Sequence, residues 1–331
     1  MQKNIDKLHI KTCITSELTN HEWDTYVNGY NKTFKKKDDK KKFLKKYSNS
    51  SDGYSFHALL INEDADVVGA CTLIPSDYEK NRISLKIALA VDLFILPEYR
   101  NDSLIFLKFY LKLKKIISRD DITAVVAVPN LNSYDYWKNI VKFKDIGNLT
   151  YWAIPIKFHN IKTNFPYILN YVSLLYSKII LNLNFLYSFF YNSKDISQSY
   201  KIITNNDFLK SRFDGDYYHF NNNIISFYYS IINEDGVNTA YLLYAKENGV
   251  TTLIALILAV KAILKNKEVD LILFIGTLKI FQFIFARVPQ RFTPKRLPLI
   301  CDILIKEDKE KYKDLLNLNN WDFGLINYDV R

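Results

Sequence analysis

The sequence predicts a mixed α/β fold in two consecutive halves joined by an apolar helical segment. Three observations predict it. Over roughly the first 155 residues, β-branched and apolar runs alternate with segments of helical period. From about Tyr200 the same strand–hairpin–helix–strand–helix rhythm returns. Between the two, Phe165–Tyr191 is rich in Leu, Ile, Tyr and Phe, and a chain of 331 residues has room for two domains. The expected boundaries are 1–158 for the first domain, 159–199 for the helical linker and 200–331 for the second.

In order along the chain, Ile10–Leu18 is strand-like, and His21–Tyr30 opens a helix behind a Thr19/Asn20 cap. Lys32–Lys46 holds nine lysines, the pattern of a solvated helix or loop. Tyr54–Ile61 and Asp66–Pro75 read as strands of one hairpin, turning at Asn62-Glu63-Asp64-Ala65. Ile83–Leu96 is a long apolar strand ended by Pro97, and Leu104–Ser118 repeats apolar residues at helical spacing. Ile122–Val128 is β-branched and continuously apolar, as a strand buried on both faces is. Ser133–Val141 reads as a helix and Leu149–Ile156 as the last strand of this half. After the polar stretch Asn192–Gln198, Ile224–Ile231 and Thr239–Ala245 are strands, and Lys246-Glu247-Asn248-Gly249 turns into Val250–Ile254. A helix through about Lys265, the strand Val269–Ile275, a helix from Leu278 and strands at Leu297–Ile305 and Phe323–Tyr328 complete the second half.

A composition of 48% hydrophobic and 24% charged residues is that of a globular protein, and it excludes a disordered chain or a collagen-like fibre. The formal charge is +10, from 45 Lys+Arg against 35 Asp+Glu. Asn, Ile, Lys, Phe and Tyr are all abundant and share AT-rich codons, so the basic excess is slight ground for a nucleic-acid partner. Cys13, Cys71 and Cys301 are scattered without C-x-x-C spacing, which argues against a disulfide framework and fits a reducing compartment. His9, His21, His57, His159 and His219 pair neither with one another nor with cysteines at ligand spacing, so no metal is expected. Met1–Lys11 has no apolar run of the signal-peptide kind, and a cytoplasmic protein is expected. Phe165–Tyr191 is interrupted by Asn170, Ser173, Lys178, Asn182 and Asn184. The segment is expected to be interdomain core rather than a membrane anchor, and no stable membrane insertion is expected.

The chemistry concentrates at Ala90-Val91-Asp92-Leu93-Phe94-Ile95-Leu96-Pro97-Glu98-Tyr99-Arg100-Asn101-Asp102-Ser103-Leu104-Ile105. A strand that ends at a polar turn and opens a helix presents unpaired backbone N–H groups and the positive end of a helix dipole, a ready seat for phosphate. Ser103 is the candidate helix cap, and Arg100 can add a charge-assisted contact.

This stretch resembles the acyl-CoA signature of the GNAT superfamily, the acyl-CoA-dependent N-acyltransferases. Their loop reads Arg/Gln-x-x-Gly-x-Gly/Ala; here Arg100, Asn101, Asp102, Ser103, Leu104 and Ile105 stand at the six positions, without either glycine. Asn130-Leu131-Asn132-Ser133-Tyr134-Asp135-Tyr136-Trp137 is similar to the family's Asn-x-x-Ala-x-x-x-Tyr element, with Asn130 at the Asn and Trp137 at the Tyr. Phe143–Gly147 resembles the residues that close the fold, so the likeness spans about residues 8–156. Phe208-Leu209-Lys210-Ser211-Arg212-Phe213, with Tyr217 and Tyr218, is similar to the opening of the second domain in tandem members.

The resemblance implies a gap between the fourth and fifth strands that admits the pantetheine arm, paired with the backbone of Leu93 and Ile95. It also implies that the Arg100–Ile105 loop and Asn130 bind acetyl-CoA or another acyl-CoA. Asp92 is then the candidate base for an acceptor amine, with His57 as the alternative. Tyr136 or Tyr134 is the candidate donor of a proton to the leaving thiolate. The second half is expected to shape the acceptor pocket. The lysines at Lys32–Lys46 would favour a small, phosphate-bearing amine such as an amino sugar. Two other readings stay open: a degenerate member that binds without catalysis, fed by the missing glycines, and an aminoacyl-tRNA-dependent transferase of the peptidoglycan type.

Overall fold

The computed structural model describes residues 8–100, 104–118, 120–162, 164–190, 198–212, 217–247, 252–278, 282–305 and 310–328. They fall into two α/β units. One takes Met1–Asn148, Tyr200–Arg212 and Leu297–Asn320; the other takes Leu149–Ser199, Phe213–Arg296 and Trp321–Arg331.

The first unit is built from β1 (His9–Ile14), α1 (Asn20–Phe34), α2 (Lys40–Ser48), β2 (Phe56–Ile61), β3 (Val67–Lys80), β4 (Ile83–Ile95), α3 (Ile105–Ile117), β5 (Ile122–Ala127), α4 (Leu131–Asp135) and β6 (Lys144–Asn148). The chain then contributes β7 (Thr150–Pro155), α5 (Phe158–Ile161) and α6 (Ile168–Ser188) to the second unit. It returns to the first with β8 (Tyr200–Ile202) and α7 (Asn206–Arg212). The second unit continues with β9 (Tyr218–Asn221), β10 (Ile225–Glu234), β11 (Val237–Glu247), α8 (Thr252–Ile263), β12 (Leu271–Gly276) and β13 (Ala286–Arg287). β14 (Pro298–Ile303) belongs to the first again.

Local chemistry sets the ends of the elements. Thr19 and Glu22 close a capping box on α1, the Thr19 hydroxyl accepting the Glu22 N–H at 3.2 Å and the Glu22 carboxylate the Thr19 N–H at 2.9 Å. Lys35 ends α1 in the left-handed conformation, and Asp39 caps α2 by accepting the Lys42 N–H at 2.8 Å. The lysine run is thus the end of α1, a turn and most of α2. Asn81 and Arg82 both have positive φ and make the two-residue turn of the β3–β4 hairpin.

The first sheet runs β1-β2-β3-β4-β5-β14-β6, with β8 also on β3. Side-chain alternation divides its core into two layers. Ala58 and Leu60 join Phe106, Phe109 and Leu113 of α3, whereas Leu59 and Ile61 join Trp23, Tyr26, Phe43 and Tyr47 of α1 and α2. The second sheet runs β13-β7-β12-β11-β10-β9, with β12 parallel to β11. Its core includes Leu253, Ile257, Val260 and Ile263 of α8 with Ile154, Phe227, Leu242 and Ile272.

The units differ from the contiguous boundaries 1–158, 159–199 and 200–331. The strand expected to close the first half, β7, pairs with β12 and β13 in the second sheet. β14, read from sequence as part of the second half, lies between β5 and β6 in the first. An apolar strand fits either sheet by its own pattern, and only long-range pairing decides which. Phe323–Tyr328 forms a turn rather than a strand, and the helix expected from Leu278 is absent among the described residues of that stretch. The expected core segment Phe165–Tyr191 faces the other way: α6 buries Asn170, Ser173, Ser177, Leu181, Asn184 and Ser188 and leaves most of its large apolar residues exposed.

Candidate active site

β4 and β5 run parallel from Lys86↔Ile122 to Ala90↔Ala127, where their pairing ends. β4 continues through Ile95, so beyond Ala90 its edge away from β3 has no strand partner among the described residues. A β-bulge sits at the start of this free stretch. Thr72 opposes Val91 and Ala70 opposes Phe94, which leaves Cys71 facing both Asp92 and Leu93. Asp92 adopts φ 51°, a left-handed conformation uncommon for a residue with a side chain. The Leu96 N–H donates to Val68 of β3 at 2.8 Å. Alternation therefore turns the backbone groups of Leu93 and Ile95 toward the open edge. The Arg100 guanidinium donates to the Ile95 carbonyl at 2.7 Å, which fastens the turn after β4 to that edge.

Asn101, Asp102 and Ser103 lie outside the described residues. Leu104 takes the N-cap position of α3, its carbonyl accepting the Lys108 N–H at 2.9 Å. The side chain of Ile105 is buried in the core beside Phe106 and Phe109, so Ile105 offers a ligand its backbone only. The N-terminal turn of α3 leaves N–H groups without intrahelical partners, with the positive end of the helix dipole behind them.

The Asp92 side chain is 7% exposed and is held by α2. Its Oδ1 accepts from Lys46 Nζ at 3.0 Å, and its Oδ2 lies 2.8 Å from the same ammonium. Oδ2 also accepts from the Tyr47 hydroxyl at 2.6 Å. The Tyr26 and Tyr47 hydroxyls are 2.5 Å apart. Burial, and then the charge of Asp92, push both phenols well above their ordinary pKa. Lys46, Tyr47 and Tyr26 were missed from sequence; the available signal was the amphipathic spacing of Phe43 and Tyr47 within the lysine run.

His57 corrects the alternative base. It is fully buried, with Nε2 3.1 Å from the Thr15 hydroxyl and Nδ1 3.0 Å from that of Thr72. Burial pulls its pKa down to about 3, so it is a neutral ring of the core with both nitrogens engaged.

Asn130 stands at the start of α4. Its side-chain oxygen caps α4 by accepting the Ser133 N–H at 2.9 Å, and the residue is exposed. Trp137 is buried against Phe106, Tyr110 and Phe143. Tyr134 donates to Asp145 at 2.6 Å and accepts from Lys138 at 3.1 Å. Tyr136 is 45% exposed, in a single π-helical turn with its ring edge-on to Phe106 in the first turn of α3. Its hydroxyl has no hydrogen-bond partner among the described residues. Among those residues, too, no three His, Cys, Asp or Glu side chains are grouped to hold a metal, and no helix is long and apolar enough to cross a membrane.

No protein-family model matches the chain, and no curated protein matches it in sequence. Solved structures match it in fold across both units. A conserved protein of unknown function from Enterococcus faecalis V583, described as a probable N-acyltransferase, aligns with TM-score 0.56 at 12% identity, over 90% of this chain and 73% of its own. A GCN5-related N-acetyltransferase from Kribbella flavida aligns with TM-score 0.57 at 8% identity, over 91% and 72%. Saccharomyces cerevisiae N-myristoyltransferase, solved with bound myristoyl-CoA, aligns with TM-score 0.52 at 10% identity, over 88% and 82%. The chain has the fold of the GNAT superfamily.

Proposed function

We propose that this protein is an acyl-CoA-dependent N-acyltransferase built from two GNAT-like repeats, the second shaping the acceptor side. The observation that carries the reading is the open edge of β4, where the bulge at Asp92 turns the Leu93 and Ile95 backbone outward next to the N-terminus of α3. The acyl-CoA thioester lies along that edge, its pyrophosphate at the α3 N-terminus. The Leu93 N–H donates to the thioester carbonyl, a contact worth about 3 kcal/mol in the transition state.

The Lys46 ammonium marks a cation site on Asp92, and an acceptor ammonium takes its place. Asp92 takes one proton from that ammonium, and the free amine attacks the thioester carbon; the second proton the nitrogen sheds passes through water to the Tyr136 phenolate left once the thiolate is protonated. The C–S bond breaks, and Tyr136 protonates the departing thiolate. The acceptor is a small amine, and the lysines of α2 favour one bearing phosphate, such as an amino sugar.

Titration calorimetry with acetyl-CoA and longer acyl-CoAs tests the reading. Saturable binding that is lost in Ser103→Asp is the expected result. No binding to any acyl-CoA would leave a non-catalytic binding protein or an aminoacyl-tRNA-dependent transferase, and steeply salt-dependent tRNA binding would single out the second.

A further inference from the structure

α6 is amphipathic with its polar side turned inward. Asn170, Ser173, Ser177, Asn184 and Ser188 recur every three, four or seven residues and are buried. Each is satisfied there. Asn170 accepts the His159 N–H at 2.8 Å, and Ser173 donates to the Ile156 carbonyl at 2.7 Å. Ser177 donates to the Ser173 carbonyl at 2.8 Å, and Ser188 to the Phe185 carbonyl at 2.6 Å. Asn184 accepts the Phe283 N–H at 2.9 Å and donates to the Ile180 carbonyl at 2.8 Å. The bonds to His159, Ile156 and Phe283 leave the helix and fix its rotation about its axis, so the opposite side must face outward. That side carries Ile168, Tyr171, Leu175, Ile179, Leu183 and Leu186, each at least half exposed.

A helix of 21 residues is about 32 Å long, and an apolar face of that length is larger than a soluble monomer ordinarily leaves in water. Charge says what covers it. Between Asp145 and Asp195 the sequence contains no Asp or Glu, but it contains Lys157, Lys162, Lys178 and Lys194. Lys178 is exposed on the helix itself. Lys162 lies over the Phe165 ring before the helix, and Lys261 of α8 lies over Phe185 near its end, 5.5 and 5.0 Å from the ring centroids. The apolar face is therefore framed by cations at both ends. A second copy would bring like charges together across a two-fold axis, whereas an anionic lipid surface takes apolar face and cations at once.

We propose that the outer face of α6 docks the protein on an anionic lipid bilayer. The helix lies in the interfacial plane, its Leu and Ile side chains among the acyl chains. Tyr167, Tyr171 and Tyr176 sit at headgroup depth, where a ring with one polar atom is most stable. The helix does not cross the bilayer, because its polar side is bonded to its own unit.

Co-sedimentation of the full chain with extruded vesicles tests this. One set is phosphatidylcholine alone, and the other is phosphatidylcholine and phosphatidylglycerol in equal parts. With three cations at the surface, binding to the anionic vesicles is expected to be about 100-fold tighter than to the neutral ones. Leu175→Gln/Ile179→Gln/Leu183→Gln changes exposed positions only, so its circular dichroism and melting stay as in the wild type. It is expected to abolish pelleting with both vesicles, and Lys162→Gln/Lys178→Gln/Lys261→Gln to remove the preference for the anionic set. Wild-type protein that stays in the supernatant with anionic vesicles overturns the proposal, as does a Leu/Ile variant that pellets like wild type. A wild-type dimer that the Leu/Ile variant makes monomeric also overturns it, by giving the face to a second copy.

Discussion

The Tyr47 phenol donates a 2.6 Å hydrogen bond to Asp92 Oδ2, joining the one residue of β4 with positive φ to the helix that carries the lysine run. Because the Tyr47 proton is spent on Asp92, the 2.5 Å contact with Tyr26 is a bond donated by Tyr26. A chain of donors thus runs from the core to a carboxylate at the open edge of β4, and Lys46 closes it from the other side.

Asp92→Asn keeps the size and one acceptor of the side chain but loses its charge. Turnover is expected to fall about 100-fold, and the melting transition to drop as well, because Lys46 loses its counter-ion. Asp92→Ala leaves Lys46 and Tyr47 without their partner and is expected to cost about 3 kcal/mol in denaturant unfolding as well. Unchanged turnover in Asp92→Asn removes Asp92 from the chemistry.

The raised pKa values of Tyr26 and Tyr47 set an alkaline limit. Above about pH 10 the unfolded chain releases both phenolic protons while the fold retains them. The native state then binds more protons than the unfolded state, so stability falls as pH rises, by up to about 1.4 kcal/mol per pH unit per phenol. Urea melts of wild type and Tyr47→Phe between about pH 9 and 11 are expected to show a shallower decline in the variant.

His57 sets an acid limit with the opposite sign. Its pKa is about 3 in the fold against an ordinary 6.5, so below that ordinary value the unfolded chain gains a proton that the native state refuses. Its contribution is fully present above pH 6.5 and is lost progressively toward pH 3. Replacing His57 with Gln is expected to lower stability near neutrality and to flatten this slope by about one proton, read from unfolding free energies across that range.

Gly69 lies opposite Ile95 in the register of β3 and β4. A Cβ at Gly69 would meet the Phe94 carbonyl at 3.0 Å and Ile95 Cγ1 at 3.2 Å. Gly69→Ala is expected to push β4 beside the bulge, costing about 1–3 kcal/mol and raising KM for acyl-CoA more than it lowers kcat. Denaturation midpoints and steady-state kinetics measure the two effects separately.

Tyr136 and Tyr134 are separated by their partners. Tyr136→Phe is expected to lower kcat about 100-fold with acyl-CoA affinity unchanged. Tyr134 is engaged by Asp145 and Lys138, so Tyr134→Phe is expected to leave kcat near wild type. The opposite pattern would move the proton-donor role to Tyr134.

The local elements of the first unit were legible in residue order, because their signals are short-range. Thr19 announced α1, Asn62–Ala65 announced the β2–β3 hairpin, and Pro97 announced the end of β4. Residue order also singled out the stretch where β4 runs into the start of α3 as the candidate site, since a strand running into a helix start is visible in it. Tertiary structure alone decided the exchange of β7 and β14 between sheets, because pairs such as Ile300↔Ala127 lie too far apart in sequence for periodicity to carry them. It alone brought Lys46 and Tyr47 to Asp92, and it alone showed His57 held between Thr15 and Thr72. For α6 the period was legible but its direction was not. A helical pattern says which residues share a face; only the partners of Ser173 and Asn184 say which face is turned inward.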